Sequence, residues 1–123
     1  RFYKGIVLGK TGKHELALNC FENVHRANPQ HLDSLFHKGI ELAELERHEK
    51  AIEVFDNILD KHKGNINVVY AKARSKAALN EVNEAFDLLK VAIKHSKTIK
   101  LWARKEKVFE KFYDDPEFQR MVK

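Results

Sequence analysis

Two prolines and five glycines in 123 residues are too few for an all-β chain built on tight turns. The single cysteine, Cys20, excludes an internal disulfide and any cysteine-based zinc site. Set in the apolar run LALNCF, it reads as a buried structural thiol of a reduced, intracellular protein. No apolar run approaches the roughly 18 residues that a membrane span needs. Charge of neither sign dominates: 23 Lys and Arg against 18 Asp and Glu leave +5, and a third of the residues are charged, as exposed helix faces require. The chain starts at Arg1, and RFYKGIVLG already reads as helix interior, so the natural N-terminus is expected upstream.

What is present is a repeat of 34 residues. Gly5 pairs with Gly39, Ala17 with Ala51 and Ala85, and Phe21 with Phe55 and Leu89. Phe2, Phe36 and Tyr70 share the period, as do Lys4, Lys38 and Lys72. Each period reads as two helices. Leu35, Phe36, Ile40, Leu42 and Leu45 recur at helical spacing, then Ala51, Ile52, Phe55, Ile58 and Leu59, with a short turn at 46–48. Pro29 and Gly64 mark the ends of second helices. A third pair is predicted at about 66–79 and 82–95, packing through Val69, Ala73, Ala77, Ala85, Leu88, Leu89 and Ala92. The small residues at 5, 39 and 73 permit close helix crossings, and stacking must supply a core that one pair cannot bury alone.

The period, the Lys-Gly-x2-Leu segment at Lys38, Gly39 and Leu42, and the Ala-x3-Phe pairs at Ala17/Phe21 and Ala51/Phe55 resemble the tetratricopeptide repeat. The resemblance covers residues 1–97, as units of about 1–31, 32–65 and 66–97. It departs from the family pattern in the lysine column and at Lys63 and Lys97, where a final proline is usual. It implies an all-α right-handed superhelix of antiparallel helix pairs. Residues 98–123 fit the repeat poorly and read as a long capping helix, striped by Ile99, Trp102, Phe109 and Tyr113, then a short last helix begun by Asp115 and Pro116.

Sites for chemistry are scarce. Gly5, Gly9, Lys10 and Thr11 imitate a phosphate loop, but only three residues separate Gly5 from Gly9 where four are needed, and Gly5 belongs to a helix of the repeat. Seven histidines (His14, His25, His31, His37, His48, His62 and His95) form no tight ligand set. Ser34, Ser75 and Ser96 lack a nucleophile's context, and Glu41, Glu44, Glu46 and Glu49 read as solvated helix faces. No enzyme, metal or cofactor is expected.

In tetratricopeptide folds the first helix of each pair lines a concave surface that takes a peptide or partner helix. The resemblance therefore implies a groove at Phe2, Tyr3, Ile6, Phe36, His37, Ile40, Tyr70 and Arg74, turning basic at Arg74. Some members grip a chaperone's C-terminal carboxylate with lysines, asparagines and an arginine. Phe2, Ile6, His37, Asn67 and Ala71 stand at those positions, so no such clamp is expected. The expected function is a cytoplasmic, non-catalytic protein-interaction module or scaffold with a protein or peptide partner. Two alternatives are a nucleic-acid accessory using Lys94, Lys97, Lys100, Arg104, Lys105 and Lys107 around Trp102, and self-association through Phe2 or Tyr3.

Overall fold

In the computed structural model, which describes residues 1–123, every regular element is helical. The chain divides into two compact units, 1–63 and 64–123. The first holds α1 (Phe2–Lys10), α2 (His14–Ala27), α3 (Leu32–Glu44) and α4 (His48–Lys61). The second holds α5 (Ile66–Ala78), α6 (Val82–His95), α7 (Thr98–Lys105), a 3-10 helix (Lys107–Phe112) and α8 (Pro116–Val122).

One backbone device turns the chain inside each pair. Gly12, Glu46 and Asn80 have φ of 84°, 63° and 62°, the left-handed region. They stand 34 residues apart. Around each, the N–H groups return to the preceding helix in the same way: Gly12 to Gly9 and Lys13 to Leu8, Glu46 to Ala43 and Arg47 to Leu42, Asn80 to Ala77 and Glu81 to Lys76. This is the Schellman closure of a helix C-terminus, which satisfies carbonyls that would otherwise be orphaned. Helix starts repeat as well. The His31 side chain accepts from the Ser34 N–H at 3.0 Å, and Asn65, one period on, accepts from the Val68 N–H at 3.3 Å.

Close crossing needs a missing side chain. A Cβ added at Gly5 would lie 2.8 Å from the Phe21 ring, and one at Gly39 would meet the Phe55 ring closer still. Phe21, Phe55, Ala17 and Ala51 are fully buried. In the first unit α1 packs on α2, α3 on α4, and α2 on α3, so two pairs share one core. In the second unit α5 packs on α6 through Ala73, Ala77, Ala85, Leu89 and Ala92, all fully buried. Burying Leu89 contributes on the order of 1.5–3 kcal/mol before entropy is counted, and each alanine methyl about 0.8 kcal/mol. Cys20 is only half-buried, at the edge of the α1–α2 seam, not the buried thiol expected.

The C-terminal segment departs from its expected form. The one long helix is broken at Glu106, whose φ of −76° and ψ of 120° are extended. The chain re-enters as a 3-10 helix, which turns Phe109 and Phe112 onto Phe86 and Phe118, with ring centroids 5.1 Å apart for Phe86–Phe112 and 5.7 Å for Phe109–Phe118. The break shifts the register of the expected stripe. Ile99 and Phe109 are buried, but Trp102 stays 44% exposed, and Ala103 and Phe112 enter the core instead. Asp115 caps α8 as predicted, accepting from the N–H groups of Glu117 and Phe118 at 2.8 and 3.2 Å.

Candidate binding cleft

The first helices of the two pairs in unit one, α1 and α3, wall an open cleft of about 440 Å³. Ile6 from α1 and Ile40 from α3 supply its apolar sides, and His37 lies between them in sequence order along the lining. Both isoleucines sit one residue past a glycine of the repeat, where the close crossing is made. His37 is held by rings on several sides. It stacks on Phe21 at 5.2 Å with planes 24° apart, and meets Phe2 and Phe36 edge-on at 5.5 Å each. Burial lowers its pKa from 6.5, with Asp33 partly opposing, so the ring is neutral at pH 7.

Glu41 is the residue that sequence reasoning misplaced. It is 6% exposed, not on a solvated face. Its Oε1 lies 2.6 Å from His14 Nδ1. Its Oε2 lies where a Cβ on Gly9 would come within 2.5 Å. A buried carboxylate requires such partners. Gly9 is therefore no phosphate-loop residue: its missing side chain makes room for the Glu41 carboxylate against α1. The available signal was a second small column one helical turn beyond the first, at Gly9, Ala43 and Ala77. Lys10 and Glu44 complete the charged rim, both exposed.

The other expected groove residues lie elsewhere. Phe2 and Phe36 are half-buried beside the cleft; Phe2 packs on Phe21 at 5.6 Å and His31 at 5.1 Å, and Phe36 on Phe55 at 6.2 Å. Tyr3 is 80% exposed and, like Val7 at 61%, does not line the cleft. In unit two, Tyr70 is 5% exposed under the chain's own C-terminal segment. Trp102 meets its ring at 5.6 Å and Phe109 at 6.1 Å. Its hydroxyl donates to Glu106 Oε1 at 2.9 Å, and the Arg74 guanidinium lies 3.5 Å from the same oxygen. Burial first, then the Glu106 charge, pushes the Tyr70 phenol well above its usual range. Arg74 is thus paired with Glu106 of its own unit, with its side chain 25% exposed.

The basic run of residues 94–107 is also partly engaged. Lys100 donates to the Lys123 carbonyl at 3.0 Å, and Arg104 Nε to the Val122 carbonyl at 2.5 Å, tying down α8. Lys94, Lys97 and Lys100 border a smaller cleft of about 290 Å³ with Ile93 and Met121. No helix is long and apolar enough to cross a membrane.

Antiparallel helix pairs on a 34-residue period, closed by one turn geometry, define an all-α helical-repeat fold of the tetratricopeptide type. Solved structures share it. MamA 41-end from Desulfovibrio magneticus RS-1 superposes with a TM-score of 0.78 over 98% of this chain and 67% of that one, at 13% identity. The MamA RS-1 ArsTM double mutant gives 0.78 over 98% and 70%, at 16% identity. MamA MSR-1 C2 gives 0.69 over 95% and 70%, at 18% identity. No family model matches the chain, and no curated protein matches it.

Proposed function

We propose that this chain is a non-catalytic protein-interaction scaffold of the tetratricopeptide repeat family, and that the cleft of unit one takes a peptide or helix of its partner. The observation that carries the reading is the convergence of Ile6, His37 and Ile40 on one open cleft between first helices. Concave surfaces with apolar walls and a few placed polar groups are where ligand side chains are desolvated. Phe2 and Phe36 support the walls from beside the cleft. In unit two, Tyr70 and Arg74 occupy the corresponding repeat positions, with the C-terminal segment packed on them.

The test is capture of binding proteins from the source cell by the wild-type chain and by an Ile6→Ala, Ile40→Ala variant. Each side chain is only half-buried, so the helical spectrum should stay intact while specific capture is lost. Equal capture by both chains would refute the cleft assignment.

A further inference from the structure

The geometry points to a basic side chain, Lys or Arg, as the anchor that a bound peptide places in the unit-one cleft, with Glu41 as its receptor. The inference rests on the proposed function of that cleft and names the chemistry of the occupant.

The receptor is built from three elements. Glu41 projects from α3 and is 6% exposed. His14, at the start of α2, fixes Oε1 at 2.6 Å. Gly9 of α1 leaves space for Oε2, and Gly9 and Glu41 both line the cleft. A carboxylate has room for about four hydrogen bonds, and the structure shows one here, from His14. A donor arriving in the cleft therefore meets an acceptor already positioned and already stripped of most of its water. A cation gains most from that arrangement, because a charge-assisted hydrogen bond is roughly twice as strong as a neutral one.

The surroundings fit the same occupant. Glu44, one turn beyond Glu41 on α3, is exposed on the rim and adds negative charge. Ile6 and Ile40 can hold the methylene stem of a long basic side chain, or an apolar neighbour in the peptide. His37, neutral at pH 7, adds no opposing charge. Lys10 is the one permanent cation on the lining; it is exposed and makes no ion pair with either glutamate.

The experiment is a selection of random 12-residue displayed peptides on the full chain, followed by calorimetry of the best synthetic peptide. Selected peptides should be rich in Lys or Arg beside an apolar residue. Replacing the basic residue by Gln should weaken binding about tenfold or more, the size of one hydrogen bond to a charged group. Glu41→Gln should cost the wild-type peptide the same, and cost the Gln peptide nothing further. Because Glu41 is buried, a second variant guards against misfolding. Gly9→Ala crowds the flexible end of Glu41 and should weaken the basic peptide while the melting temperature holds. Lys10→Gln should leave binding unchanged or strengthen it.

Peptides that need Ile6 and Ile40 but show no basic preference would overturn the cationic anchor and leave the cleft reading intact. Acidic peptides weakened by Lys10→Gln would overturn it likewise. Selection of nothing that depends on Ile6 or Ile40 would sink the cleft reading, and the anchor with it.

Discussion

Replacing Gly39 by Ala tests whether the close crossing of each pair is set by one glycine and one ring. The new Cβ would overlap the Phe55 ring, which is fully buried and cannot swing into solvent. The ring must retreat by about 1 Å, an over-packing that costs about 1–3 kcal/mol. Removing a glycine from a helix interior returns about 0.5–1 kcal/mol. The variant should therefore lose about 1–2 kcal/mol, or about 4–8 °C in melting temperature for a chain of this size. The third pair shows the remedy: it carries Ala73 and, sixteen residues on, Leu89, where the first two carry Gly5 with Phe21 and Gly39 with Phe55. Phe55→Leu alone should cost about 1–2 kcal/mol through lost burial and a cavity. The double variant should then be better than the sum of the singles by about 1 kcal/mol or more. Chemical denaturation of the four chains measures the coupling. Additivity within about 0.5 kcal/mol would refute the idea that glycine and ring are a matched pair.

Two further outcomes are expected. Glu46→Gly should raise stability by about 0.5–1 kcal/mol, because a left-handed residue with a Cβ is strained by on the order of 1–2 kcal/mol. The contact it loses, to His48 at 2.8 Å, is largely exposed on the Glu46 side, and urea melts read the gain. The second concerns pH. The folded state lowers the pKa of His37 from 6.5, so below that value the unfolded chain binds the proton more readily. Stability should fall as pH drops from 6.5 toward the folded pKa, and be insensitive to this group above it. Melts of wild type and His37→Phe between pH 7.5 and 5 should diverge in that direction. Parallel curves would refute the burial argument.

The repeat was legible because its determinants are local or periodic. Gly39 and Phe55, the turn at 46–48, and the Asp115 cap each follow from residue type at fixed spacing. The site was legible only in part. Ile6, His37 and Ile40 follow the repeat into the cleft, but Glu41 finds His14 across 27 residues, and Tyr70 finds Glu106 across 36, with no pattern linking either pair. The break at Glu106 carries no proline or glycine. Beyond it Phe112 packs on Phe86 and Phe109 on Phe118, contacts that no local spacing announces. Gly9 shows how a local pattern can mimic a motif that its spacing already excludes. Its neighbours made it look like a nucleotide motif, while the atom it accommodates lies on another helix.

The two kinds of connection differ in how they meet a protease. Inside each pair, the left-handed closure returns successive N–H groups to the helix behind, at Gly12, Glu46 and Asn80 alike, and a cleaving enzyme must pull those bonds apart to straighten the chain. The link at 62–65 is made differently: His62, Lys63, Gly64 and Asn65 are all exposed, and Gly64 has open space around its α-carbon. Local opening there disturbs little buried surface. Trypsin cutting after Lys63 would divide the chain at the boundary between its two compact units. The nick would leave the residues of the cleft, Glu41 among them, in one fragment and both Tyr70 and Glu106 in the other.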